Sequence, residues 1–162
     1  MIEITINVRG EPKAQPRTKA TAVCPQGCPG RHPGQKKKSR PFIKMYTPDD
    51  TGKVTAWKQA IMLAIKPHVP ANPHDRPFTV DCTFYLKRPV TMMRLKDIDQ
   101  VEPHGKKPDR DNLDKAVLDA ITQSGFWRDD SLACFGTIRK YYTDKRQGTG
   151  ARITIRSVEK SQ

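Results

Sequence analysis

Long apolar stretches are missing from this chain of 162 residues. No run approaches the roughly 18 to 20 consecutive apolar residues of a spanning helix, so a membrane-embedded protein is not expected. Acid is scarce too: 17 Asp and Glu stand against 30 Lys and Arg, a formal net charge of +13. Such a surplus says nothing of the fold but selects polyanionic partners, nucleic acid above all, although ribosomal contacts and anionic membranes draw on the same charge. Cysteine is limited to four residues. With no signal-peptide pattern ahead of a strand-like N-terminus, a cytoplasmic, reducing location is the expectation, and the thiols read as free or metal-binding rather than paired. The length suits one domain with a real core and is short for two of ordinary size.

What is present is strong local patterning. Ile2, Ile4, Ile6 and Val8 alternate with Glu3, Thr5, Asn7 and Arg9, the period of a strand with one buried face. From about 10 to 45 the chain turns rich in Pro, Gly, Lys and Arg, which predicts a basic loop rather than a packed element. Thr47-Pro48-Asp49-Asp50 has the form of a helix start, and Val54, Trp57, Ile61, Ala64 and Ile65 mark the inner side of a helix running to about Lys66. Phe78, Val80, Cys82, Phe84 and Leu86 alternate with polar neighbours in a second strand bounded by Pro77 and Pro89. A second long loop at about 88–107 carries no period. Leu113, Ala116, Val117, Ala120 and Ile121 then form the stripe of a second helix, with Asp111 placed as its N-cap and Gly125 as its left-handed stop. Leu132 to Tyr142 and Ala151 to Val158 read as two strands joined as a hairpin through 143–150. The order β-α-β-α-β-β predicts an α+β fold, a small mixed sheet with two helices packed on one face.

Against the basic background, the acids gather. Asp109, Asp111, Asp114, Asp119, Asp129 and Asp130 are six of the 17 acids within 22 residues. Asp109 and Asp111 are two apart, a spacing that shares a face in extended chain but diverges by about 200° around a helix. Pro108 favours an extended entry, so both can face the same side just ahead of the second helix. Clustered carboxylates in a cationic protein suit a hard cation held against a bound phosphate, the equipment of a metal-dependent phosphodiesterase. Each position also has an ordinary use: Asp111 as a cap, Lys115 and Asp119 as a surface pair, Asp129 and Asp130 as turn formers. On that plainer reading the chain is a non-catalytic basic module for RNA or structured DNA.

The run Asp109-x-Asp111-Asn112-Leu113-x-Lys115-Ala116-x-x-Asp119-Ala120, followed by Gly125-Phe126-Trp127-x-Asp129-Asp130, resembles the signature of the RusA-type Holliday-junction resolvases, phage-associated endodeoxyribonucleases. The likeness is close over Lys107 to Ser131 and looser at Gly10-x-Pro12-Lys13, Arg17 and Tyr46-Thr47-Pro48, about a quarter of the chain. It implies that Asp109, Asp111 and Asp130 are metal-binding catalytic acids and that Lys115 acts beside them on the scissile phosphate. It further implies Mg²⁺ dependence with Mn²⁺ able to substitute, a homodimer, and paired nicks across a four-way DNA junction. Two equivalent strands to cut need two active sites, which a two-fold dimer supplies. Arg110, at a position often apolar in that family, and the basic stretch from Cys24 to Arg40 depart from its pattern.

Other signals are weaker in content. Lys13, Arg17, Lys36, Lys37, Lys38, Arg40, Lys106, Lys107 and Arg110 are candidates for the DNA backbone, although a lysine run is as often a solvated segment. Cys24, Cys28 and His32 offer three soft ligands for a structural Zn²⁺ with no fourth in view, and the alternative is an unstructured thiol-bearing loop. Cys82 and Cys134 read as core thiols, His68, His74 and His104 as surface residues, and Phe126 and Trp127 as core packing.

Overall fold

The structure, a computed structural model, describes residues 1–23, 42–46, 48–49, 51–92, 102–143 and 148–159. The chain divides into two compact units, Met1–Gln15 with Thr51–Gln162, and Pro16–Asp50. In chain order the elements are strands β1 (Glu3–Arg9), β2 (Lys19–Val23) and β3 (Phe42–Tyr46), helix α1 (Lys53–Ile65), strand β4 (Phe78–Leu86), helix α2 (Arg110–Gln123), and strands β5 (Ala133–Phe135), β6 (Ile138–Tyr142) and β7 (Gly150–Ser157). This is the mixed α+β architecture expected, two helices and a mixed sheet.

The larger unit is built around β4. Its residues alternate without a break, Phe78, Val80, Cys82, Phe84 and Leu86 buried and the residues between them half-buried. Such a strand needs a cover on one face only. The cover is α1, through Trp57, Ile61 and Ile65, and α2, through Leu113, Ala116, Val117, Ala120 and Ile121. Truncating one fully buried member of this core, Leu113 for example, is worth about 2 to 5 kcal/mol. Phe126 and Trp127 lie in the same core, their rings 5.8 Å apart. Gly125 stops α2 at φ 80°.

Strand pairing departs from expectation. β6 and β7 do not form a hairpin: β4 lies between them, antiparallel to β7 and parallel to β5 and β6, while β1 closes the other side of β7. The cause is the route of the chain, since α2 crosses over between β4 and β5 and returns the following strands parallel to β4. The stretch expected as one strand from Leu132 to Tyr142 is a short 3-10 turn, Asp130–Leu132, then β5 and β6 parted at Gly136. Gly136 has φ 153°, and a side chain there would strike the Val80 carbonyl.

Other expectations are corrected locally. Helix α1 starts at Lys53, not at Thr47-Pro48, because Gly52 directly before it takes the left-handed φ of 64°. Two strands, β2 and β3, lie in the stretch expected as loop and pair antiparallel in the smaller unit. Cys82 is buried as expected, but Cys134 on β5 is exposed. His68 is exposed, whereas His74 is half-buried with its ring 4.9 Å from Phe126, and His104 is buried 4.5 Å from the Tyr142 ring. Aromatic contact, not solvent, accounts for both. Cys24, Cys28, His32, Lys36, Lys37, Lys38 and Arg40 lie outside the described residues.

Candidate active site at the start of helix α2

The approach to α2 is fixed on the edge strand β6. Tyr142 N–H donates to the Glu102 carbonyl and His104 N–H to the Lys140 carbonyl, each at 2.9 Å. The Lys140 ammonium then reaches across the turn to the carbonyls of Lys106 (2.9 Å) and Pro108 (2.7 Å). Asp109 follows in extended conformation, φ −69° and ψ 144°, and its carbonyl accepts from Leu113 N–H at 3.2 Å. The N-cap is therefore Asp109, and Asp111, expected there, sits in the first turn. On the other side Gln15 N–H donates to the Asn112 carbonyl at 2.8 Å, tying the segment after β1 to the same turn.

Asp109 occupies the cap position without capping: its carboxylate takes no backbone N–H. Asp109 and Asp111 are both exposed at the positive end of the helix dipole, which favours the two negative charges while they repel each other. A cation between or beside them relieves that repulsion. Lys115 is exposed one turn along. The next residue on that stripe, Asp119, pairs with Lys58 of α1 at 2.9 Å rather than with Lys115. Asp114 turns toward the sheet, where burial pushes its carboxyl above the usual carboxylate range, partly offset by a hydrogen bond with Cys82 and the charge of Arg110. Burial also raises the Cys82 thiol, with the Asp114 charge adding to it.

Beyond α2, Asp129 and Asp130 divide their roles. The Asp129 carboxylate caps the 3-10 turn by accepting from Ser131 N–H at 2.9 Å, a bond that holds it below the usual range. Asp130 is exposed in the first turn. The turn packs against α2, but strand register runs against a site closed within one chain. Ala133 pairs with Phe78, whereas Lys140, which holds the α2 start, pairs with Phe84. Those two anchors are six residues apart, about 20 Å along a strand. Among the described residues no three His, Cys, Asp or Glu side chains are gathered so as to hold a metal ion. As donors, Asp109, Asp111 and Asp130 nonetheless suit a hard cation: they offer carboxylate oxygens only, and among the described residues none is used in an ion pair or a helix cap.

Beside the acids lies a cavity of about 270 Å³ lined by Glu11, Pro12, Lys13 and Ala14 from the segment after β1, by Leu86 and Lys87 at the end of β4, and by His104, Lys107 and Pro108. Lys13 pairs with Glu11 at 2.9 Å. Of the candidate backbone-binding cations, Lys13 and Lys107 line this cavity, Lys106 and Arg110 are exposed next to the acids, and Arg17 is exposed in the smaller unit. Sequence reasoning missed both Lys87, which follows a strand as an unremarkable lysine, and His104, expected at the surface because it stands in a loop without a period.

The family model for endodeoxyribonuclease RusA matches residues 10–156. The chain belongs to the RusA endodeoxyribonuclease family. Membership makes it an endodeoxyribonuclease of the crossover-junction-resolving kind, and the match runs through both compact units and the whole of the acidic stretch. No curated protein matches the chain at a significant level. Among the described residues, no helix is long and apolar enough to cross a membrane.

Proposed function

We propose that the chain is a Mg²⁺-dependent nuclease that resolves four-way DNA junctions as a homodimer by paired phosphodiester hydrolysis, acting in DNA recombination and repair in the cytoplasm. The observation that carries this reading is the pair of bare carboxylates at the start of α2, Asp109 at the N-cap and Asp111 in the first turn, in a RusA-family chain with 30 cationic residues. Asp109, Asp111 and Asp130 would hold the ion, with Mn²⁺ an effective substitute. When bound, such an ion supplies charge neutralisation at the phosphate and an activated water. Lys115 places a cation one turn from Asp111, where it stabilises negative charge on the phosphate oxygens. Lys13, Lys106, Lys107 and Arg110 hold the flanking backbone, and Arg17 of the smaller unit is a further cation for DNA phosphate. We read the two compact units as one nuclease domain, a reading supported by a family match that spans both.

Register favours a site shared between two copies, in which Asp130 of one chain joins Asp109 and Asp111 of the other. Complementation tests it. Mixing Asp109→Asn chains with Asp130→Asn chains restores one complete site per mixed dimer if the acids are shared, and restores none if each site is closed within a chain.

The basic assay is incubation of the purified protein with a synthetic four-way junction, with and without Mg²⁺, beside linear duplex and single-strand controls. Paired cuts in the junction that require the metal are the expected result. Intact junctions in both Mg²⁺ and Mn²⁺ would overturn the assignment.

A further inference from the structure

We infer that the cavity between the segment after β1 and the approach to α2 is a subsite for a DNA backbone phosphate adjacent to the one that is cut, with Lys87 and His104 among its binding residues. The inference rests on the nuclease reading for the identity of the DNA, but none of Asp109, Asp111 and Asp130 lines the cavity.

Charge is the first argument. Lys13, Lys87 and Lys107 converge on a cavity of about 270 Å³ that holds a single acid, Glu11. That carboxylate is held below its usual range by its hydrogen bond to Lys13 and by the charges of Lys13, Lys53 and Lys87, so it stays ionised and offsets one cation only. The remaining surplus complements a phosphate, whose oxygens accept from ammonium groups. Position is the second. Pro108, in the cavity wall, directly precedes Asp109, so a phosphate seated here neighbours whatever lies at the α2 start.

The third argument is His104. It is 8% exposed, fixed by its N–H bond to the Lys140 carbonyl and by the Tyr142 ring, and its Nδ1 is buried without a hydrogen-bond partner among the described residues. An unpaired buried polar atom is costly to a fold, so its retention in a cavity wall fits a group that is satisfied when the cavity is filled.

The test measures junction binding in an Asp130→Asn background, so that cutting does not intervene. Lys87→Ala is expected to weaken binding about five- to tenfold at moderate salt and to flatten the log Kd against log salt slope by about 0.9, one phosphate contact. His104→Phe, which keeps the ring packing on Tyr142, is expected to weaken binding more than His104→Gln, which keeps a polar atom. In the protein with His104 intact, inorganic phosphate is expected to shift the His104 ring resonances and to compete with the junction, and the competition is expected to fade in Lys87→Ala. An unchanged salt slope in Lys87→Ala, with the variant folded at its normal Tm, overturns the subsite even if the protein cuts junctions. A reduced slope in a chain that cuts nothing leaves the subsite standing and removes the nuclease reading instead.

Discussion

Two groups of aspartates in this molecule are treated in opposite ways. Asp81, on the sheet face away from the helices, accepts from the Thr137 N–H (2.9 Å) and hydroxyl (2.6 Å) and pairs with Arg156. Asp119 pairs with Lys58 across the two helices. Asp109, Asp111 and Asp130 form no ion pair among the described residues, in a chain where cations outnumber acids by 30 to 17. Cationic partners are in ample supply, so acids left bare are kept open by placement: at a helix start where the backbone, not the carboxylate, makes the cap bond, and in the first turn after Asp129 has taken the capping role. Paired acids hold the scaffold, and the acids outside ion pairs are the candidates for a cation.

The comparison breaks first, and by the largest margin, at the bare acids. Asp130→Asn is expected to lower the cleavage rate on a four-way junction by on the order of 10³-fold or more while junction binding is kept or strengthened, since on the proposed role of Asp130 the lost carboxylate affects chemistry before affinity. Gel assays of cutting and of binding on the same preparation separate the two. Lys115→Ala is expected to cost on the order of 10² in rate with the fold intact, the size of one lost charge-stabilising donor.

Smaller effects sharpen the other side. Asp119→Ala strands Lys58 in a half-buried position and is expected to lower stability by about 1 to 2 kcal/mol in urea unfolding. Asp81 is held below the usual carboxylate range, chiefly by its hydrogen bonds to Thr137, with Arg156 and Arg139 adding to it. Its stabilisation is present above the ordinary aspartate range and lost as pH falls through the lowered value, so Asp81→Asn should remove part of the acid-side loss of stability. Asp114 runs the other way. Burial raises its carboxyl, so the folded state is favoured when it is protonated and that advantage is lost as pH rises through the raised value. Asp114→Asn is expected to raise Tm near neutral pH, with the gain vanishing in acid, and a thermal melt series across pH reads the sign.

Much of this was legible because it is local. The alternation of β4 and β1, the stripe of α2 and the stop at Gly125 each depend on period or on one glycine's backbone, which neighbouring residues encode. Pairing partners are not local: the tail of the chain allows a β6–β7 hairpin, and only the folded sheet shows β4 inserted between them. The start of α1 departs from its local signal for a related reason, since Thr47-Pro48 has the chemistry of a cap but Gly52, five residues after Thr47, breaks the backbone. In the site, Asp109 and Asp111 announced themselves by spacing, whereas Lys87 and His104 have no signal until a loop folds over the end of β4. The roles of the acids came from the ordered motif, not from periodicity.

The most direct measurement sets one bare acid against one paired acid: Mg²⁺-dependent cutting of a four-way junction by Asp111→Asn and Asp119→Asn, side by side with the unmutated chain. The account predicts that Asp119→Asn cuts at the unmutated rate, whereas Asp111→Asn binds the junction and leaves it whole. Cutting by Asp111→Asn at the unmutated rate would contradict it.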